Sequence, residues 1–423
     1  MLNIKNILFQ IKVPCFIKQQ NSQKSWFHLN SVLRVLNVSL QNRCVVVNES
    51  SSDKQLHFMK FPTVWLRDNC QCNECFHQSS KSRQIDWVKF DTKVNITNIT
   101  ASDNSISIDW SDKHSSTYSL DWLRERDFHT DKREKYLNEF YRPKTKHWSK
   151  NDFKKILSTF EYKNVMEKNN DLKLWLQQLA IYGVAIIKNA GTDKTAVRKL
   201  ADRVGFIRKT TYGEEFIVEA KPGAKNYAYL STPLPLHTDL PYYEYKPSVN
   251  LLHCVVQSNS KGGENLLADG FHVVDILKKN YPHFFETLTK TVIDWNDIGE
   301  DGGLPFHNIW RSPVICLDGD GFYTRINHSI PQRDSHFNVT IEEVELWYEA
   351  YSKFVKLLQQ ESVSFKLSPG DILTFNNIRL VHGRTGYDDN ENNVRCIVGA
   401  YLDWDIIYSK LRVLMKNYNK NEK

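Results

Sequence analysis

The chain has 423 residues, 41% of them apolar, enough for one large core and, by length alone, two or three domains. No apolar run approaches the ~18 residues of a helical membrane span, so the composition reads as a soluble chain with no membrane partner. The formal charge of +7 is local: residues 1–48 carry six Lys or Arg and no acid, leaving 50 basic against 49 acidic residues elsewhere, a poor footprint for nucleic acid.

Ile4, Leu8 and Ile11 share one helical face of that basic end and Lys5 and Lys12 another, while no apolar run in residues 1–20 exceeds three residues. An acid-free amphipathic start without a secretory core predicts a mitochondrial transit peptide over 1–40. A basic tail on a cytoplasmic protein is the alternative. Eight cysteines without a secretory signal predict reduced thiols.

Residues 42–125 alternate in short runs ("CVVVN", "LHFM", "VNITNITA", "SISIDW") and predict a small β-domain. Residues 126–165, rich in lysine and aromatics, read as a connector. From 166 to 415, helical periods ("DLKLWLQQLAIYG") and a buried strand ("GVAIIKN") give way to scattered β-runs. "TDKTAVRKLADRVG" predicts a helix capped by Thr192, and Thr340 with Glu343 has capping-box spacing. Short strands with flanking helices predict a mainly β double-stranded β-helix, or jelly roll, with the smaller domain ahead of it. Neither G-x-G-x-x-G nor a phosphate-binding P-loop pattern is present.

Cys70, Cys72 and Cys75 form C-x-C-x-x-C on a loop read as following a strand. Three thiolates supply three corners of a tetrahedral structural zinc site, with His77 and His114 both candidates for the fourth. A redox dithiol, or three unrelated thiols, are the rival readings. Such a site would keep no open position for substrate.

His237 and Asp239 stand two apart, on one face if the run is a strand. Two histidines and a carboxylate with open positions suit non-haem Fe(II). The second histidine could come from His253, His272, His283, His307, His328, His336 or His382. His382 stands out: it ends a β-run before Gly383, and thirteen residues on "VRCIVGAYLDW" puts Arg395, Ile397, Gly399 and Tyr401 on one face. An arginine on such a face makes sense if the face lines a cavity holding a carboxylate.

These residues carry a resemblance. "HTD" at 237–239, "VHGR" at 381–384 and Arg395, with "WLRDNCQCNEC", "NYAY", "LLHC", "DGF", "DIGED" and "AYLDWD", resemble the γ-butyrobetaine/trimethyllysine dioxygenase family of Fe(II)/2-oxoglutarate oxygenases over about residues 42–415. The resemblance implies catalytic Fe(II) ligands His237, Asp239 and His382, with Arg395 and Leu252 holding 2-oxoglutarate. It implies structural zinc on Cys70, Cys72, Cys75 and His114, a homodimer, and ascorbate as a candidate reductant. The implied substrate is a small quaternary ammonium compound in a cage of Tyr212, Phe216, Tyr229 and Tyr401. Phe216 departs from the family's usual tryptophan. Asn226 and Asn327 match residues that hold the short carboxylate of γ-butyrobetaine, which implies hydroxylation at its third carbon to give carnitine, with succinate and CO₂. Hydroxylation of N6-trimethyllysine is the alternative within the family. A zinc-stapled jelly-roll binding protein without enzymatic activity, or a zinc hydrolase on the same triad, are alternatives outside it.

Overall fold

Short alternating runs pair where a turn lets them meet, and the first such turn is Asn42-Arg43. Both residues have positive φ, 46° and 59°, the geometry that suits the right-handed twist of a two-residue hairpin. The Arg43 carbonyl is held in place by the Thr63 amide at 2.8 Å and the Thr63 hydroxyl at 2.7 Å. The hairpin joins Val35–Gln41 to Cys44–Ser50, and Leu56–Pro62 adds a third antiparallel strand. The computed structural model describes residues 35–50, 56–219, 231–301, 303–388 and 394–421. Residues 1–34 of the leader-like segment lie outside the described residues, and residues 35–40 are already strand.

Two compact units divide between Asn138 and Glu139. In the first, a second antiparallel sheet runs through Ile96–Ala101, Ser105–Trp110 and Ser115–Ser119. Period-two alternation puts Ile106, Ile108 and Trp110 on the inner face, where they meet Val45, Val47, Met59, Phe61 and Tyr118 in one core. The cysteine loop does not follow a strand directly. The helix Thr63–Asp68 intervenes and buries Leu66, because "TVWLRD" has room for just over one turn before Asn69.

The second unit is a pair of facing sheets. The large one has the order Glu215–Glu219, Cys396–Leu402, Val249–Val256, Ile372–Asn376, Val184–Lys188 and Ser158–Glu161. Only the last pair is parallel; the others are antiparallel. The small sheet runs Leu234–His237, Leu380–Arg384, Asn265–Asp269 and Val363–Phe365, antiparallel throughout. Leu373, Phe375 and Ile397 from one sheet meet Leu267 and Leu380 from the other. The outer face of the large sheet packs on the helices Asn169–Tyr182, Ala196–Val204 and Trp404–Asn421. Helices Gly270–Asn280 and Ile341–Glu361 cover the other side. This is the expected jelly roll with flanking helices. The stretch 126–165 is more than a connector: it forms helices Thr130–Lys135 and Phe153–Ile156, and its Ser158–Glu161 joins the large sheet.

Thr340 and Glu343 close the capping box reciprocally. The helix expected from Thr192 starts instead at Ala196. Asp193 accepts hydrogen bonds from the Thr195 amide at 2.9 Å and its hydroxyl at 2.7 Å. That local turn competes with the first helical turn and wins.

Candidate active site

His237 ends its strand and Asp239 follows two residues later, while His382 sits in the middle of Leu380–Arg384. The two strands are antiparallel neighbours, and His237 and His382 are direct partners in the register. A separation of 145 positions in the chain becomes 4.2 Å between ring centroids. Asp239 Oδ1 lies 3.2 Å from His237 Nε2 and 3.5 Å from His382 Nε2. Two ligands at right angles on one ion, with bonds of ~2.1 Å, would be about 3 Å apart. Among the described residues the three form one of two clusters able to hold an ion.

The surroundings suit that role. His237 Nδ1 donates to the Pro235 carbonyl at 2.9 Å, which turns Nε2 toward the cluster. Burial pushes the His382 imidazole down to about 3, so its ring nitrogen is free to act as a ligand. Burial also pushes Asp239 upward, but His382, His237 and Tyr401 outweigh it and hold the carboxyl well below its ordinary range. A neutral His382 imidazole and an ionised Asp239 carboxylate are donor states that suit a divalent cation.

These groups open onto a cavity of roughly 1080 Å³, its mouth included, lined by Tyr212, Phe216, Leu252, Arg395, Ile397 and Tyr401 among others. Cys396, Val398 and Ala400 point the other way, into the core under the helices. The alternation expected along this strand is therefore observed. Arg395 is only 4% exposed. Burial and the nearby Arg384 guanidinium lower its pKa to about 10, and no described carboxylate pairs with it. Its Nε has no partner. Burying a guanidinium is costly unless a counter-charge meets it, so this position suits an anionic ligand.

The remaining expected residues divide. Tyr212 lines the cavity and donates its hydroxyl to Asp297 Oδ2 at 2.7 Å. Phe216 lines it with its ring against Gly399. Asn226 and Tyr229 lie outside the described residues. Asn327 is not brought to the cavity: it is fully buried after Tyr323–Ile326, and its amide nitrogen is bonded to Ser312 Oγ at 2.7 Å and the Pro313 carbonyl at 3.1 Å. Its backbone amide is tied to the Val314 carbonyl at 2.8 Å.

Several site residues escape sequence reasoning. Asn250 donates to Asp239 Oδ2 at 2.6 Å. Asn377 brackets the Asp239 backbone, accepting from its amide at 2.8 Å and donating to its carbonyl at 3.1 Å. The only signal for Asn250 is a polar residue in the apolar run "VNLLHCVV".

In the first unit, Cys70, Cys72 and Cys75 converge with His114. Their sulfurs lie 3.3, 3.5 and 3.5 Å from His114 Nε2. Tetrahedral zinc with ordinary Zn–S and Zn–N bonds would set these at about 3.5 Å. Burial lowers the His114 pKa, leaving a neutral ligand, and pushes the Cys75 thiol up to about 12, so the cluster needs a cation to hold three thiolates. His77 is elsewhere, its Nδ1 bonded to Ser80 Oγ at 2.7 Å.

Residues 142–401 match the model of the taurine catabolism dioxygenase TauD, TfdA family, and residues 40–124 match the gamma-butyrobetaine hydroxylase-like N-terminal model. The chain is 36% identical to gamma-butyrobetaine dioxygenase of Homo sapiens over 356 residues, 84% of this chain and 91% of that one. It is 28% identical to the Pseudomonas sp. gamma-butyrobetaine dioxygenase over 361 residues, with the same two coverages. It is 27% identical to mitochondrial trimethyllysine dioxygenase of Bos taurus over 365 residues, 84% of this chain and 83% of that one.

Proposed function

The chain belongs to the TauD/TfdA dioxygenase family, with a γ-butyrobetaine hydroxylase-like N-terminal unit, and on that premise we propose that it hydroxylates γ-butyrobetaine at its third carbon to give L-carnitine. It is an Fe(II)- and 2-oxoglutarate-dependent enzyme acting on a small molecule. The observation that carries the reading is the buried Arg395, with no carboxylate paired to it among the described residues, on the same cavity wall as the His237–Asp239–His382 cluster. A dicarboxylic co-substrate needs both: an ion at one end and a cation at the other.

His237, Asp239 and His382 would hold the iron. With Fe(II) and 2-oxoglutarate bound there, the site would supply O₂-dependent hydroxylation of a carbon coupled to conversion of 2-oxoglutarate to succinate and CO₂. The chain's own work is positioning. Arg395 grips the far carboxylate of 2-oxoglutarate in a two-point geometry that lysine lacks, with Leu252 beside it. Tyr212 and Phe216 present aromatic faces to a trimethylammonium group, which has no N–H to donate; each face contributes about 0.5–2 kcal/mol. Cys70, Cys72, Cys75 and His114 would hold zinc and staple the small unit.

Finer assignments follow the same reading. The acid-free amphipathic leader supports import into the mitochondrion, and a fusion of residues 1–40 to a fluorescent protein should travel there. The family resemblance supports a homodimer, so light scattering should give twice the chain mass of 49.6 kDa.

The decisive experiment offers γ-butyrobetaine and N6-trimethyllysine in parallel to the purified chain with Fe(II) and 2-oxoglutarate. Succinate should form in step with carnitine and only slowly with trimethyllysine. Preferential use of trimethyllysine would reassign the substrate, and no succinate with either would remove the reading.

A further inference from the structure

Asp239 uses its two oxygens differently. Oδ1 faces the histidine nitrogens at 3.2 and 3.5 Å. Oδ2 accepts two hydrogen bonds, from Asn250 Nδ2 at 2.6 Å and from the Tyr401 hydroxyl at 2.9 Å. Those donors are direct register partners on the neighbouring strands Val249–Val256 and Cys396–Leu402. A carboxylate gripped at one oxygen from two sides presents the other to an ion in a single orientation.

The two donors are not equivalent. Asn250 is fully buried, and its Oδ1 has no partner. It serves as a fixed clamp. Tyr401 has a second commitment through its ring, which lies 5.1 Å from the Phe216 ring at 32°. Phe216 in turn pairs across the sheet with Gly399, two residues before Tyr401. Phe216 and Tyr401 both line the cavity. One side chain thus touches the pocket wall with its ring and the carboxylate of the triad with its hydroxyl.

We propose that Tyr401 is a positioning residue for Asp239 as well as a wall of the substrate pocket, so that filling the pocket changes the grip on the metal carboxylate. The inference rests on the iron reading of the triad. Any ligand that presses on the Phe216–Tyr401 pair moves the hydroxyl that fixes Oδ2. The coupling needs no moving loop, because ring and hydroxyl belong to one rigid group.

The full chain, stripped of iron and supplied with 2-oxoglutarate, is titrated with Mn(II) by calorimetry and electron paramagnetic resonance. Mn(II) favours oxygen and nitrogen donors and does not displace zinc from thiolates. Tyr401→Phe keeps the ring and deletes the hydroxyl. Mn(II) affinity should fall about 10- to 100-fold, the usual cost of losing an outer contact to a metal ligand. The spectral change that γ-butyrobetaine produces in the wild-type Mn(II) complex should shrink in this variant. Asn250→Ala should also weaken Mn(II) but keep the substrate-induced change. Unaltered Mn(II) affinity and an unaltered spectral response in Tyr401→Phe would reduce Tyr401 to a pocket wall and overturn the coupling. Absence of Mn(II) binding in the wild-type chain would instead defeat the triad reading, and the coupling with it.

Discussion

Arg395 and Asp239 show how single side chains commit a fold to a chemistry. A guanidinium 4% exposed with no described acid beside it is costly to keep unless a ligand brings the counter-charge. Arg395→Lys keeps the charge and loses the fork, so the KM for 2-oxoglutarate should rise roughly 10- to 100-fold, as for one or two charged hydrogen bonds. Initial rates against 2-oxoglutarate check this, and an unchanged KM would move the dicarboxylate away from Arg395. Asp239→Ala should abolish succinate production while the circular dichroism and melting of the chain stay close to wild type; persistent turnover would place the iron elsewhere. At this scale the sequence is readable where a residue type is rare in its context. His382 inside the apolar run "RLVHG", read as a strand's end but found mid-strand in Leu380–Arg384, and Arg395 beside an apolar one are such cases. Asn250 and Asn377 are not, because an asparagine gains meaning only when the fold shows which carboxylate it faces. Asn327 illustrates the converse: its motif matches, yet Ser312 and Pro313 already hold its amide.

At the scale of strands, register decides which side chains meet. The alternation in "VRCIVGAYLDW" is legible because period two leaves little choice, and the structure puts Arg395, Ile397 and Tyr401 on the cavity side. The partners of that strand are not legible, since nothing in either sequence says that Phe216 sits opposite Gly399. The pairing explains the glycine. A Cβ at 399 would stand 2.1 Å from Phe216 Cζ, closer than any real contact. Gly399→Ala should therefore turn the Phe216 ring off its seat and cost about 1–3 kcal/mol of stability. It should raise the KM for γ-butyrobetaine more than that for 2-oxoglutarate, which urea unfolding and steady-state kinetics can read together. The misplaced start of the helix at Ala196 has a similar lesson: Thr192 and Asp193 both suit a cap, and only the three-dimensional turn shows that Asp193 bonds Thr195 instead.

Across the whole molecule, buried charge sets how stability responds to pH. Lys246 is 5% exposed, and its amine donates to the Ile326 carbonyl at 2.6 Å. Burial, helped by Arg325, lowers its pKa from 10.5 to about 7. Between those values the unfolded chain holds a proton that the folded chain has released, so this residue makes unfolding free energy rise with pH from about 7 upward, at most about 1.4 kcal/mol per unit. Below that window both states are protonated and the penalty is constant. Lys246→Met should flatten the rise between pH 7 and 9 in urea titrations; an identical slope would mean the amine is charged throughout. The division into a small unit with a zinc-capable cysteine cluster and a jelly roll is broadly legible from the cysteine spacing and the change of pattern after residue 165. Its boundary is not, because "RDFHTDKREKYLNEF" carries no period to say where one core ends. His114→Ala should lower the melting of the small unit in calorimetry and leave Mn(II) affinity at the triad unchanged.

The two clusters able to hold an ion among the described residues differ in donor class, three sulfurs and a nitrogen in one, two nitrogens and an oxygen in the other. The sulfur-rich cluster filters its ion by softness. The other has no such filter, and common divalent ions such as copper and zinc rank above ferrous iron in affinity for nitrogen and oxygen donors. Mismetallation is thus a built-in hazard: chain matured in a zinc-rich, iron-poor cell would emerge well folded yet idle. Its working fraction would report the cell's ratio of the two metals, and a mild chelator followed by ferrous salt would wake the dormant remainder.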